Sequence, residues 1–278
     1  MIVVPLIILA GLVYARGAGA LRSGRVWRSL LFFLGLTAIV ASLASPVDAL
    51  AHQLFSAHMV QHMLLTVVGA PLLLLGQPVR PLLRGLPRGV RRWVIRPLAR
   101  SPLLRTLLHL LRRPLITGAL YVVGLYAWHV PTIYDAALMD PFLHSVEHAY
   151  FLLSALLFWS IVIDPEPFRS PLPYPVRIVF LVLSGAAQNT ILGGLLSFSS
   201  RLLYPYYEGR PEAFGIDALT DQRFGGATMW VPGDLIFLAA ASVCFFLFLD
   251  QEEREQNARE REVKVEKDLQ TGPTRRGA

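Results

Sequence analysis

Apolar and polar positions alternate along this chain in blocks rather than residue by residue. Long Leu-, Val- and Ala-rich runs fall at about residues 2–15, 27–44, 53–75, 114–130, 143–163, 176–197 and 231–249. The runs are continuous and lack the period-two alternation of barrel strands, so the pattern predicts helices. Most are long enough to cross a hydrocarbon core of roughly 30 Å, and only a helix or a closed barrel satisfies its own backbone there. The expected fold class is therefore all-α, a polytopic membrane protein of about seven transmembrane helices. The first run is short and fits a bilayer by thinning it or by letting Arg16 snorkel.

The polar blocks between the runs set an orientation. Arg16, Arg22, Arg25 and Arg28 follow the first run. Ten arginines, from Arg80 to Arg113, follow the third, whereas residues 45–52 and 131–142 carry no Lys or Arg. By the positive-inside rule the Arg-rich connections are cytoplasmic, the N-terminus lies outside and the C-terminus inside. A signal peptide carries its charges before the apolar stretch; here they come after it, so the first run reads as a retained span. Segment 103–113 (LLRTLLHLLRR) is too short to span and puts Arg105, His109 and Arg112 on one stripe, which suits the cytoplasmic interface. After Asp250 the chain turns polar on all sides. Residues 1–250 thus read as the membrane domain, and 251–278 as a charged cytoplasmic tail that extends the last helix and then frays.

Composition agrees with lipid burial: 54% of the 278 residues are hydrophobic and 16% are charged, against about a quarter charged in soluble domains. The net charge of +7 sits in loops beside apolar runs, so membrane lipids with anionic headgroups, and no nucleic acid, are the expected counter-charge. The one cysteine, Cys244, lies in an apolar run, which excludes disulfides and thiolate clusters and reads as packing.

Candidate chemistry is carried by histidine. Of seven histidines, His109 belongs to the cytoplasmic stripe, and the other six (His52, His58, His62, His129, His144 and His148) map to the opposite face. His58 and His62 are four apart, as are His144 and His148, so each pair shares one helix face one turn apart. His129 closes the fourth run just before Pro131. Imidazole is the commonest metal ligand and is neutral enough to bury. Met59 and Met63 flank the first pair, and thioether beside imidazole favours Cu(I). Glu147, between the second pair, suits either an outer hydrogen-bonding role or solvation at the helix mouth. Packing accounts for each of these residues taken singly; the matching depth of five histidines points to metal or haem. Gln188 and Asn189, among Gly185, Gly193 and Gly194, read as interhelical packing. Segment 221–230 reads as an interfacial loop with a tight turn at Gly225-Gly226, from which Asp221 or Met229 can reach the histidines. Pro71 and Pro78 read as a kink and then a stop at the end of the third run.

The blocks SPVDALAHQLFSAHMVQHMLLTVVGAPLLLLGQPVRP, WHVPTIYDAAL, HSVEHAYFLLSALLFW and DQRFGGATMW, within about residues 26–250, resemble the integral-membrane CtaG-type assembly factors of caa-type cytochrome c oxidase. The resemblance implies a non-enzymatic protein of the bacterial plasma membrane that matures a haem–copper oxidase by handling copper outside the membrane. Its partners would be cytochrome c oxidase subunits and a periplasmic or surface copper carrier. The family's histidines fall on His58, His62, His129, His144 and His148. A bis-histidine b-type haem redox protein, a membrane di-iron enzyme and a metal-free oxidase scaffold are the competing readings.

Overall fold

The computed structural model describes residues 3–20 and 26–271; Ile2, Arg22, Arg25 and the last seven residues of the expected tail lie outside it. Among the described residues the chain is helical with no strand. Five helices are long and apolar enough to cross a membrane: α2 (Val26–Leu43), α4 (Phe55–Leu75), α10 (Pro141–Val162), α11 (Tyr174–Ser197) and the first part of α12 (Ala218–Thr271). The expected first span is α1 (Val3–Ala20), whose apolar part, Val4–Gly19, is shorter than the five. The expected fourth span is broken. Its helix α8 (Pro114–Trp128) bends by 77° into α9 (Pro131–Met139), because Pro131 cannot continue the preceding hydrogen-bond ladder. Shorter helices complete the set: α3 (Pro46–Ala51), α5 (Val79–Gly85), α6 (88–100) and α7 (Pro102–Leu111).

Several expected loops are helices. Residues 131–142 hold α9 and the start of α10, and 221–230 lies inside α12. Gly225 and Gly226 therefore make no turn; they let helices touch. A Cβ on Gly225 would stand 2.2 Å from the Phe55 ring, and one on Gly226 would stand 2.7 Å from the Gly193 carbonyl oxygen. The polar tail continues α12 as helix to Thr271. Its exposed ion pairs Asp250–Arg254 and Glu255–Arg259, each at i, i+4, support that extension.

The core gathers α4, α10, α11 and α12 around Phe158, Trp159, Phe180, Leu181 and Phe237, with Cys244 buried beside them as a packing residue. One backbone irregularity is built into this core. In α4, Leu64–Gly69 forms a π-turn in which the Ala70 N–H reaches back to the Leu65 carbonyl. That leaves the Thr66 carbonyl free, and the indole N–H of Trp159 donates to it at 2.8 Å. Pro71, which has no N–H to give, follows directly; the local under-winding and the proline belong together. Across the outside, Leu12, Val123, Leu153, Leu183, Leu238 and Phe246 are each more than half exposed. Such an apolar exterior suits lipid and not water.

The two ends of the bundle differ. At one, the arginine-rich connection meets the 163–173 loop through Arg80–Glu166 at 2.9 Å, and Arg112 donates to the Ser160 and Arg169 carbonyls. Arg112, read in sequence as part of an interfacial stripe, is thus a strut between connections; partial burial pulls its pKa down. At the other end the 198–217 loop folds over α3, α8 and α9, with Tyr207 donating to the Ala51 carbonyl and Tyr204 to that of His129. All six histidines other than His109 lie at this second end.

A candidate metal centre of buried histidines

The start of α4 is fixed from far along the chain. Asp221 of α12 accepts hydrogen bonds from the backbone N–H groups of Phe55 and Ser56 and from the Ser56 hydroxyl. It caps two of the donors that a helix N-terminus leaves free. Asp221, which the sequence left open as a residue able to reach the histidines, forms this cap instead. One turn into the capped helix stands His58, and one turn further His62, their ring centroids 4.3 Å apart. On α10, capped by Asp140 and started by Pro141, His144 and His148 repeat the arrangement at 4.2 Å. The pairs face each other: His58 lies 5.3 Å from His144 and 6.3 Å from His148, and His62 lies 5.5 Å from His148. His129, capping α8 at the bend, is 6.5 Å from His62. His52, half-buried at the end of α3, is 5.3 Å from His144.

The five inner histidines are at most 9% exposed. A buried ring nitrogen without a hydrogen bond costs about 1–3 kcal/mol, yet Nε2 of His58, His62, His129, His144 and His148 has no hydrogen-bond partner, and neither has Nδ1 of His62. Glu147 adds two more such atoms. It is fully buried, so solvation at the helix mouth is excluded, and neither carboxylate oxygen is hydrogen-bonded. Its Oε1 is 3.8 Å from His62 Nε2, near enough for ion pairing and too far for a hydrogen bond. Ligand atoms of His58, His144 and His148 lie within 4.8 Å of one another, as do those of His58, His62 and Glu147. A tetrahedral ion with metal–nitrogen bonds of about 2 Å needs ligands roughly 3.3 Å apart, which side-chain rotations of under an ångström supply.

The other ring nitrogens are held from outside. His129 Nδ1 is 2.7 Å from the Leu125 carbonyl, which only accepts, so the proton is on Nδ1 and the Nε2 lone pair is free. His58 Nδ1 is 2.6 Å from the Tyr134 hydroxyl and 3.2 Å from that of Tyr207. Tyr207 has its proton committed to the Ala51 carbonyl at 2.7 Å, and burial pushes its phenol well above the usual range. With Tyr134 and Tyr207 oxygens 3.3 Å apart, one arrangement uses every proton. His58 Nδ1–H donates to Tyr134, Tyr134 to Tyr207, and Tyr207 to Ala51. It leaves His58 Nε2 as a lone pair among the other rings, the outer-shell support that ligating histidines receive.

Tyr134 and Tyr207 were not singled out from the sequence. Tyr134 sits on α9, read as loop, and Tyr207 in the Tyr-Pro-Tyr-Tyr run at 204–207; that cluster of phenols in an otherwise loop-like stretch was the available signal. Met59 and Met63 lie beside the rings with Met229, all three lining a cavity of about 30 Å³ together with His62 and His129. Met229, unlike Asp221, does reach the histidines. Asn189 donates to the Met229 carbonyl at 2.6 Å and Tyr126 donates to Gln188 at 3.0 Å, so both amides serve packing between helices.

Fold and site together define a helical membrane protein with a buried, imidazole-lined centre at one end of its bundle. Residues 12–251 match the cytochrome c oxidase caa3 assembly factor family, and the chain belongs to that family. It is 31% identical over 235 residues to an uncharacterized protein of Mycobacterium bovis, an alignment covering 78% of this chain and 34% of the relative. An uncharacterized protein of Mycobacterium leprae is 30% identical over 243 residues, covering 82% and 36%. The chain therefore spans about a third of the length of these curated relatives. No solved structure matches it.

Proposed function

We propose that the protein binds Cu(I) in the histidine cluster and delivers it to a cytochrome c oxidase subunit during assembly, without itself being an enzyme. The observation that carries this reading is the convergence of unpartnered Nε2 atoms from His58, His62, His144 and His148 on two facing helices. His129 joins them as a ligand or as an orienting group, and Met59 and Met63 supply soft donors alongside. Neutral imidazole and thioether select Cu(I) over harder ions. Copper is cargo here, and the cluster lies at one end of the bundle with half-buried His52 5.3 Å from His144, so exchange with a periplasmic or surface carrier belongs to that side. The absence of thiolate fits an oxidising compartment.

In this reading the chain sits in the bacterial plasma membrane with seven crossings, α1 and the bent α8–α9 pair counted with the five long helices. The arginines of 80–113 face anionic lipid in the cytoplasmic leaflet and the histidines face out. Bis-histidine haem is disfavoured by space: the cavity that His62 and His129 line holds about 30 Å³, room for one water or ion and far too little for a porphyrin.

The test is made in cells that lack this protein and receive either His58→Ala/His62→Ala or His144→Ala/His148→Ala. Both variants should reach the membrane at normal abundance yet yield oxidase depleted in copper. Variants that restore fully copper-loaded oxidase would leave the protein as a metal-free scaffold.

A further inference from the structure

Three of the five methionines in this chain, Met59, Met63 and Met229, line one small cavity beneath the four-ring cluster. Met139 is 70% exposed, and Met1 lies outside the described residues. The cavity runs from Met59 to Val67 on α4 and meets Phe151, one turn past His148, on α10. It also meets His129, Leu125 and Tyr121 on α8. On each helix it is therefore displaced away from the end where His144 and His58 stand, further into the bundle. Its volume of about 30 Å³ is enough for one water or one ion. Methionine is ordinarily core filler. Here, however, three of them, on two helices more than 150 residues apart in sequence, share one cavity with two buried imidazoles whose Nε2 atoms have no partner.

We propose that this cavity is a second Cu(I) site, built from the thioethers of Met59, Met63 and Met229 with His62 and His129. The inference rests on the copper reading above and divides its ligands into two compartments. His58, His144 and His148 make an imidazole site nearer the helix mouth, and the methionines make a thioether site below it. His62 lies between the two: it lines the cavity and faces His148 at 5.5 Å, so the one lone pair of its neutral ring can serve either compartment. Glu147 is placed for the same arrangement. Its buried carboxylate lies within reach of both His58 and His62, between the compartments, where a negative charge offsets two neighbouring monovalent cations. Softness rises inward, from imidazole to thioether, so Cu(I) entering at the rings is drawn to the deeper compartment and stays monovalent throughout.

The test begins without altering any proposed ligand. The full chain, produced with selenomethionine and Met139→Leu to silence the exposed methionine, is placed in lipid nanodiscs and loaded anaerobically with Cu(I). X-ray absorption at the copper edge then reads copper–selenium contact, and the copper-to-protein ratio reads occupancy. We expect a copper–selenium shell that survives His144→Ala/His148→Ala. It should vanish in Met59→Leu/Met63→Leu/Met229→Leu, with occupancy falling from about two ions per chain to about one. Copper surrounded only by light atoms, at the same ratio in the triple leucine variant, overturns the second site and leaves the histidine site standing. A chain that takes up no copper at all overturns both.

Discussion

Removing a single oxygen, in Tyr134→Phe, tests how the protein sets the protonation of His58. The Tyr134 hydroxyl lies 2.6 Å from His58 Nδ1, and the alternative partner, Tyr207, lies at 3.2 Å. A buried neutral hydrogen bond contributes about 1 kcal/mol net. Because Tyr207 remains within reach, the folding cost of the variant should stay near that value. The effect on copper should be larger than on folding. Once Tyr134 no longer accepts the Nδ1 proton, the tautomer that points a lone pair at the other rings loses its main support. Loss of an outer-shell partner typically lowers metal affinity by about 10–100-fold. With Tyr207 in reserve the lower end applies, about 10-fold, and Tyr134→Phe/Tyr207→Phe should approach 100-fold. The two will not add simply, since they share one chain of hydrogen bonds. The assay is competition for Cu(I) against a chromophoric chelator, in lipid nanodiscs, with helix content checked by circular dichroism. Tyr206→Phe is the control: its hydroxyl approaches His52 at 3.4 Å and touches none of the four clustered rings. Wild-type affinity in both Tyr134→Phe and the double variant, with the fold intact, would refute the proton-ordering argument.

Three further outcomes follow from the same contacts. Asp221→Ala strands the Phe55 and Ser56 N–H groups at the start of α4; it should cost about 1–2 kcal/mol of stability, read by thermal unfolding, while Asp221→Asn, which keeps one acceptor oxygen and turns an NH2 toward the other donor, recovers only part of it. Gly225→Ala drives a methyl against the Phe55 ring, which is buried and stacked on Tyr204 at 4.9 Å and cannot swing aside; the helices must part, and copper affinity should fall with no ligand altered. Cu(I) at a hundred times its dissociation constant should stabilise the fold by about 2.7 kcal/mol, seen as a raised unfolding temperature that is absent in His58→Ala/His62→Ala.

Much of this site was legible in the sequence because helical periodicity is local. Residues four apart share a face, so the two histidine pairs followed from spacing alone, and an apolar run long enough to span places such pairs near its end. What stayed hidden depends on contacts between distant segments. Tyr134 is brought to His58 by a 77° bend at Pro131, and Tyr207 by a loop 149 residues further along the chain. Glycine was ambiguous for a physical reason. The missing Cβ that permits a turn also permits close helix approach, and at Gly225-Gly226 the second use holds. Asp221 and Met229 are two turns apart on one helix; from sequence either could reach the histidines or belong to an interfacial loop, and only the packing separates a helix cap from a cavity wall. Glu147 read as solvated or supporting because its neighbours on α4 are nearly ninety residues upstream and cannot be seen from its own helix.

The most direct measurement of the central claim is the metal content and absorbance of the purified protein, beside His58→Ala/His62→Ala and His144→Ala/His148→Ala. The account predicts bound copper with no Soret band, reduced in both variants, because the rings on the two helices serve one cluster. A Soret band, or a protein that stays metal-free after Cu(I) loading, would contradict it.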